Sequence, residues 1–594
     1  MREGRLAGAE NVIVACALGA MVLLPLAEAT LRKFLQTGIS GATSLEQHLT
    51  LIVGMLGGAL AARDNRLLSL STLGGQLPPA WRRAGSILSA AVAAAVTGYL
   101  CVAGYQFVVI ESDSGHTLVY GLPLWMVQAL IPLGFALIMA RIVGHSAETW
   151  KGRAITTALT AAMMLLCMKF SLSMAALILL GAASLFGVPA FVTMGGLALI
   201  LFWRVGEPIG SVPIDHYSLV TNPTLPTMPL FTLAGYFLAE GGAPKRMIRV
   251  FGAVFGSLRG GAALVTAVAC AFFTSFTGGS GVTILALGGL LMPVLLAQRY
   301  SERDALGLIT GAGSLGLLFP PCLPLILYAI VANVEIKAMF LGGLLPGTVM
   351  LIATAAWGVF IQKPAALGSR SFDWKEAGAA LWEAKWELLL PVVALVTLFG
   401  GFATPVEAAA ATAFYAFLIE TVFYRDLNLS KDIPRVMSEC GLLIGGVLLI
   451  LGVALGFTNY LITSEVTTRA AEWTTSTIKS PLVFLLVLNF FLLIVGCLMD
   501  IYSAIVVQVP ILAPIGKAFG IDPIHLGIVF LANLELGYLT PPVGLNLFLS
   551  SYRFNKPLPE VIRSVGPIVL VLGIGVLVIT YVPWLTTALP RWLR

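Results

Sequence analysis

Apolar residues fill this chain in long runs, separated by short polar links that carry most of the charge. Runs of about 20 residues with few or no charges fit helices that cross the hydrocarbon core of a bilayer. The first covers about 10–31, and three more follow before residue 150. The polar link His145-Ser-Ala-Glu-Thr-Trp-Lys-Gly-Arg153 closes this four-span module. A further apolar segment, about 154–171, leads to a longer module beginning near Leu172. Four spans that start on one side end on that side, so a second module starting on the other needs an extra crossing. The pattern therefore predicts a four-helix scaffold over 1–150, a linker and connecting membrane helix over 151–171, and a larger module over 172–594.

Inside the larger module the apolar pattern fails twice in the same way. Leu315 to Pro321 reads Leu-Gly-Leu-Leu-Phe-Pro-Pro, and 221 residues later Leu536 to Pro542 reads Leu-Gly-Tyr-Leu-Thr-Pro-Pro. The same offset carries Pro293 onto Pro514. Repeated Gly and Pro-Pro breaks, at 313–324 and 533–546, fit an inverted-repeat transporter, whose broken helices offer carbonyls and amides at mid-membrane. The stretch 260–298 is apolar but interrupted by Thr277-Gly-Gly-Ser-Gly281, which predicts a re-entrant hairpin. Lys245, Arg246, Arg249 and Arg259 precede it and Arg299 and Arg303 follow, so both ends read as lying on the basic side. A second hairpin is expected over 481–517, broken near Met499–Ser503. Its flanking Arg469, Lys479 and Lys517 are offset by Glu465, Glu472 and Asp522, which fits insertion from the opposite face. Between the halves, 371–387 reads as an interfacial arm. Asp373 and Glu376 resemble a capping box, and Trp374, Trp382 and Trp386 fall on one side of a helix. An ordinary connector packed on the bundle would show the same pattern.

Composition narrows the class. Hydrophobic residues make up 58% and charged residues 11%, against about 25% charged in ordinary globular domains. With a mean hydropathy of +0.94, the expected fold is an all-α polytopic membrane protein with no soluble domain. The seven cysteines sit in or beside apolar segments without paired metal spacing, so neither disulfides nor zinc are indicated. The net charge of +6 comes from basic loops; it sets orientation and does not point to nucleic acid. Arg2, Arg5, Arg63, Arg66, Arg82, Arg83, Arg141, Lys151 and Arg153 fall on one side, Arg32 and Lys33 with acidic Glu111 and Asp113 on the other. The N-terminus is thus expected in the cytoplasm, with the first segment a retained span rather than a signal peptide.

Several stretches then carry a family resemblance. They are Phe272-Phe-Thr-Ser-Phe-Thr-Gly-Gly-Ser-Gly281, Gly313-Ser-Leu-Gly-Leu-Leu-Phe-Pro-Pro321, Gly401-Phe-Ala-Thr-Pro-Val-Glu-Ala-Ala-Ala410 and Gly537-Tyr-Leu-Thr-Pro-Pro-Val-Gly-Leu-Asn546. Thr227-Met-Pro-Leu-Phe-Thr-Leu-Ala-Gly235 and Arg259-Gly-Gly261 agree. The chain resembles a fused QM membrane component of a tripartite ATP-independent periplasmic (TRAP) transporter. The likeness covers the larger module almost end to end. Over the first module it rests on four spans and on Gly57-Gly58-Ala59-Leu60-Ala-Ala-Arg63. The resemblance implies a Q-like scaffold buttressing an M-like elevator module in the bacterial inner membrane. It also implies a Na⁺ gradient as driving force and a periplasmic substrate-binding protein as partner. No organic cofactor is expected and no enzymatic step. Two departures are Cys322, where the family often has Ser, and Val406, where Thr is common. A thiol is a poor ligand for hard Na⁺, so no ligand role is assigned to Cys322.

A partly dehydrated Na⁺ needs about five or six oxygens, usually backbone carbonyls and a hydroxyl. In the first half, Thr277, Gly279 and Ser280 should face the break at Gly316, Phe319 and Pro321. The 221 offset carries Gly279 onto Asp500, Gly316 onto Gly537, Phe319 onto Thr540 and Pro321 onto Pro542, which predicts a second cation site. An acid near mid-membrane costs at least about 2.5–3.5 kcal/mol, so Asp500 should neutralise a cation or cap a half-helix. Glu535, just before the second break, has the same choice between a cation and a structural role, and could equally snorkel or pair within the bundle; the structural role is favoured. Substrate, a small organic anion such as a C4-dicarboxylate, sugar acid, 2-oxo acid or sialic acid, should lie between the tips. Ser280, Ser314, Thr404 and Asn546 are its candidate contacts, and Asn533 flanks the second break. The five histidines do not cluster and most fall in or near loops.

Two rival readings remain at this point. A stand-alone ion-coupled carboxylate carrier would share the architecture but needs no Q-like unit. An intramembrane serine protease is suggested by Gly278-Gly-Ser-Gly281, but serine needs a base, and His525 alone lies downstream.

Overall fold

The computed structural model describes the chain except residues 1, 68–78, 148, 170–172, 363–371, 402, 543 and 594; side chains at 2–7, 79–84, 166–169, 173 and 185 are likewise left aside. The expected junction near 171 and the start of the arm at Ser371 lie outside the described residues. So do the side chains of Arg2, Arg5, Arg82, Arg83 and Cys167. Helices with short links account for nearly all of the rest, and no strand occurs among the described residues. Among the described residues, eleven helices are long and apolar enough to cross a membrane, or up to twelve if the bent pair Glu302–Leu318 with Leu323–Val331 is one span. The protein is an all-α polytopic membrane protein.

The chain forms two compact units. The first takes Met1–Pro229, Met437–Ala470 and Val506–Ile511. Its bundle packs Arg2–Leu35 on Ala42–Arg63, and Pro79–Ser114 on Leu130–His145. Trp150–Lys169 joins the third helix, where the Tyr99 hydroxyl donates to the Met164 carbonyl at 2.6 Å. Small residues bring a late helix into the same bundle. A Cβ at Gly57 would strike the Gly441 carbonyl, and one at Gly445 would strike the Gly57 main chain. Close helix approach of this kind replaces the hydrophobic drive that lipid removes. At one end of the bundle Glu10 binds both Arg63 and Arg141. Those two arginines therefore share a side, as their loop positions suggest.

Three histidines depart from the expected loop positions. His48, His216 and His525 are buried within helices. The His48 ring meets the Ser44 carbonyl and the Tyr217 hydroxyl, at 2.6 and 2.9 Å.

The second unit takes Leu230–Val436, Ala471–Ile505 and Leu512–Arg594. It holds the first hairpin, most of the second, the two breaks and a charged arm. The arm helix Trp374–Glu383 starts at Asp373, whose side chain accepts from the amides of Lys375 and Glu376. The capping box is only half formed, because Glu376 turns to Arg249 instead, at 2.8 Å. Trp374 and Trp382 are exposed on this helix while Ala377 and Ala380 are buried. Trp386 belongs to the next helix, Lys385–Phe399, so the three tryptophans do not share one helix as the spacing suggested.

Beside the arm, one part-buried cation serves three acids. Arg246 reaches Glu387 at 2.6 Å, Asp426 at 2.6 Å and Glu420 at 3.4 Å, and lies 3.7 Å above the Tyr424 ring. Glu387 and Glu420 have no exposed surface. Removing the cation strands both in a low dielectric. Arg246→Ala should therefore cost about 3–5 kcal/mol of stability. Arg249→Ala, which breaks only half-exposed pairs with Glu376 and Glu383, should cost about 1 kcal/mol or less. Thermal unfolding of the two variants in detergent checks the contrast.

Candidate functional site

Glycine and proline shape two helical hairpins and two helix breaks. The first hairpin pairs Gly261–Thr277 with Ser280–Ala297, turning at Gly278 and Gly279. Gly278 has φ +69°, and a Cβ there would sit 2.7 Å from the Leu323 Cβ, so conformation and space both require glycine. The second hairpin pairs Pro481–Leu498 with Ile501–Ala518, turning at Met499 and Asp500. The first break interrupts a helix after Ala312, tightens to a single turn at Leu315–Leu318 and resumes at Leu323. The second ends the helix Pro523–Gly537 and resumes at Leu545.

Each break is seated on a hairpin, and the seats obey the same 221-residue offset. A Cβ at Gly316 would lie 2.5 Å from the Ser275 amide and 2.6 Å from the Thr274 Cβ. A Cβ at Gly537 would lie 2.6 Å from the Cα of Gly496, the repeat partner of Ser275. Around the first seat, Thr274 Oγ1 donates to the Gly313 carbonyl at 2.8 Å and lies 2.7 Å from Thr283 Oγ1. Around the second, the Gly544 amide donates to the Cys497 carbonyl at 3.1 Å, and the Ile501 amide to the Tyr538 hydroxyl at 2.7 Å.

The tips meet. Tyr502, just after the second turn, donates its hydroxyl to the Gly278 carbonyl at 2.6 Å. Ser280, just after the first turn, donates to the Asn546 side-chain oxygen at 2.7 Å, tying the first tip to the second break. Asn546 donates onward to the Thr310 carbonyl at 3.5 Å, and Thr310 Oγ1 donates to Ser550 at 2.9 Å. Thr277 stays at the first tip, its hydroxyl 3.5 Å from the Gly279 carbonyl. Phe319 turns its ring toward Gly347, and Pro321 is buried. Pro541 and Pro542 of the second break are exposed, so the two breaks differ in cover.

Asp500 caps its half-helix. One oxygen accepts from the amides of Tyr502 and Ser503, each at 3.0 Å, and the other accepts from the Ser503 hydroxyl at 2.6 Å. Thr540 is tied by its own hydroxyl to the Gly537 carbonyl at 2.9 Å. Ser314 is fully buried, and among the described residues its hydroxyl has no hydrogen-bond partner. Thr404 stands apart: it forms a complete capping box with Glu407, and among the described residues it forms no hydrogen bond to either tip. Asn533 belongs to a second polar cluster, donating to Asn489, which also accepts from Thr580 at 3.0 Å. The base that a serine nucleophile would need is engaged elsewhere. His525 meets Thr586 Oγ1 at 2.9 Å and the Thr580 carbonyl at 3.1 Å.

Sequence reasoning missed Tyr502 and Tyr538 as partners of the tips. It named the Thr404 and Glu407 stretch without seeing its cap, although Thr-x-x-Glu is itself a capping signature.

Two family models match this chain. The DctM component of tripartite ATP-independent periplasmic transporters matches residues 161–585, and the DctQ component matches residues 21–152. The chain belongs to this family. It is a TRAP transporter permease with the two membrane components in one polypeptide. The C4-dicarboxylate TRAP transporter large permease protein DctM of Vibrio cholerae is 35% identical over 432 residues, covering 68% of this chain and 95% of its own length. The isethionate TRAP transporter permease protein DctMQ of Oleidesulfovibrio alaskensis is 32% identical over 404 residues, covering 67% of this chain and 63% of its own length. The sialic acid TRAP transporter large permease protein SiaM of Vibrio cholerae is 30% identical, covering 63% and 87%. Among solved structures, the YdaH transporter of Alcanivorax borkumensis matches in fold, with a TM-score of 0.51 at 14% identity, over 68% of this chain and 99% of that one. These relatives are transporters, and the TRAP permease likewise moves its cargo without transforming it.

The seats make a sharp prediction. Gly316→Ala and Gly537→Ala place a methyl against main chain that cannot yield, and each should destabilise the permease by about 1–3 kcal/mol. Gly566→Ala, where nothing lies within 4 Å of the new methyl, should be neutral or stabilising. Unfolding midpoints in detergent check it.

Proposed function

We propose that this permease imports a small organic anion across the bacterial inner membrane by a Na⁺-coupled elevator motion, taking substrate from a periplasmic binding protein. The observation that carries the reading is the pair of repeat-related breaks, each seated on a hairpin and joined at the tips. That arrangement gathers carbonyls, hydroxyls and half-helix ends where an ion and an anion would bind. Thr277, Gly279, Ser280, Gly316, Phe319 and Pro321 are assigned to a first Na⁺ site, and Asp500, Gly537, Thr540 and Pro542 to a second. Substrate contacts are assigned to Ser280, Ser314, Asn546 and Thr404. For Ser314 the support is a buried hydroxyl with a proton to give. For Thr404 only its own proton remains to offer, since its oxygen accepts within the cap.

The substrate class follows from relatives named for C4-dicarboxylate, isethionate and sialic acid, all of which present a carboxylate or sulfonate. The first module is assigned as the Q-like scaffold, with a cytoplasmic N-terminus set by the basic loops. Within this reading the binding protein narrows the choice of anion, and the tips need only accept a negative group.

Thermal unfolding in NaCl, KCl and choline chloride at matched ionic strength tests the coupling ion without a guessed substrate. Na⁺ bound only by the folded state should raise the midpoint, by the equivalent of about 2.7 kcal/mol at a hundredfold excess over Kd. Asp500→Asn keeps a capping oxygen but removes the charge. It should unfold like wild type in choline while losing the Na⁺-specific rise, as should Thr277→Ala. Equal midpoints for wild type in all three salts would overturn the Na⁺ reading.

A further inference from the structure

Arg246 gathers more acid than one cation neutralises. Its Nε and Nη2 both reach Oε1 of Glu387, at 2.7 and 2.6 Å, and its Nη1 takes Oδ2 of Asp426 at 2.6 Å. Glu420 is left with Nη2 at 3.4 Å and the Gly242 amide at 3.3 Å, and that amide donates also to Asp426 at 3.1 Å. The main chain is pressed onto the acids here. A Cβ at Gly241 would lie 2.1 Å from Glu420 Oε2, and one at Gly242 would lie 2.3 Å from Asp426 Oδ2. Two oxygens have nothing. Among the described residues, Glu387 Oε2 and Glu420 Oε1 are buried without a hydrogen-bond partner, on side chains with no exposed surface.

Three carboxylates against one guanidinium leave a surplus of negative charge, and Glu387 and Glu420 lie close enough to repel each other. No neighbouring cation makes up the difference. On the helix Ala243–Phe255, Arg249 is taken by Glu376 and Glu383, and Lys245 is exposed. Lys385 lies over the rings of Trp382 and Trp386, Arg425 is exposed, and Arg435 pairs with Glu240. Tyr424 gives its ring to Arg246 and its hydroxyl to the Glu383 carbonyl, while the Tyr415 hydroxyl donates to the Trp386 carbonyl at 3.0 Å. Glu407, on the helix before Glu420, closes its own cap. A metal ion does not fit, because the guanidinium occupies the ground between the acids. Among the described residues no three acid, histidine or cysteine groups are arranged to hold one. A proton does fit: on one carboxylate it removes the repulsion and the cost of an uncompensated buried charge. Burial already holds Glu387 above the ordinary carboxylate range, in spite of Arg246.

We propose that Glu387 and Glu420 form a proton-binding site, sharing one proton while Arg246 and Asp426 stay ionised. Asp426, with 31% of its side chain exposed, connects the site to water. The site ties Ala243–Phe255 to two other segments, the helix Lys385–Phe399 and the turn Ile419–Phe423. Loss of the proton sets two buried carboxylates against each other across that joint. None of these groups is assigned to Na⁺ or substrate, and the proposal does not rest on the transport reading.

Infrared spectroscopy of the full-length permease in lipid reads the site through the C=O stretch of a protonated carboxyl and its shift in D₂O. Near neutral pH the wild type should show a component that is lost in E420Q and equally in E387Q, because either amide leaves Arg246 able to neutralise the acid that remains. The component should persist in E560Q, which alters an exposed acid paired with Lys556. Its survival in E420Q or E387Q, or its loss in E560Q, would overturn the proposal. Unfolding gives a second readout. The folded state keeps a proton that unfolded carboxylates release above about pH 4.3, so stability falls as pH rises from there until the site ionises. Between about pH 5 and 7 the unfolding constant of the wild type should therefore rise relative to that of E420Q, by up to about tenfold per pH unit. Parallel pH profiles for the two proteins would also overturn the proposal. Neither measurement varies Na⁺, so neither outcome bears on the coupling ion.

Discussion

A main chain that stops being helical inside a bilayer must find partners for its amides and carbonyls in protein, because lipid offers none. Here each break finds them on a hairpin, and it can do so only because glycine lets two backbones touch. Gly316 lies against Ser275, and Gly537 lies against Gly496. The hairpins gain from the same contact in return, since each turn leaves helix ends of its own to satisfy. Once the seats are fixed, the tips are close enough for Tyr502 to reach Gly278 and for Ser280 to reach Asn546.

Charge in this apolar chain is handled in four distinct ways. Glu10 is clamped between two arginines near the end of a bundle. Arg246 is shared among three acids and an aromatic face, so its removal does more harm than its presence does good. Asp500 is held by backbone amides at a helix start, where the dipole favours the carboxylate. Glu535 has none of these. Of these four, Glu535 alone lacks a partner among the described residues, and it lies beside the second break.

The sequence made the breaks and hairpins legible because their causes are local. A Thr-Gly-Gly-Ser-Gly turn or a Gly and Pro-Pro interruption fixes the backbone whatever packs against it. Partner choice was not legible, because it depends on tertiary approach. Tyr502 reads as one aromatic among many until the first tip is placed beneath its hydroxyl. Asp373 and Glu376 carry a capping signature, yet Arg249 from a distant helix takes the second half of the box. Thr404 and Glu407 carry the same signature and complete it. Local pattern proposes such a motif, and the nearest unsatisfied cation decides whether it closes.

The bond between the tips also breaks the symmetry of the repeat. Under the 221 offset, Tyr502 corresponds to Gly281 and Gly278 to Met499, so no side chain exists to make the reciprocal bond. In a carrier built from inverted repeats, equivalent halves would give inward- and outward-facing states of equal energy. Where the tips part in one of those states, this unreciprocated hydrogen bond, worth about 1 kcal/mol net, favours the other by a factor of about five. Any such bias is then a property of the empty protein, present before ion or substrate arrives.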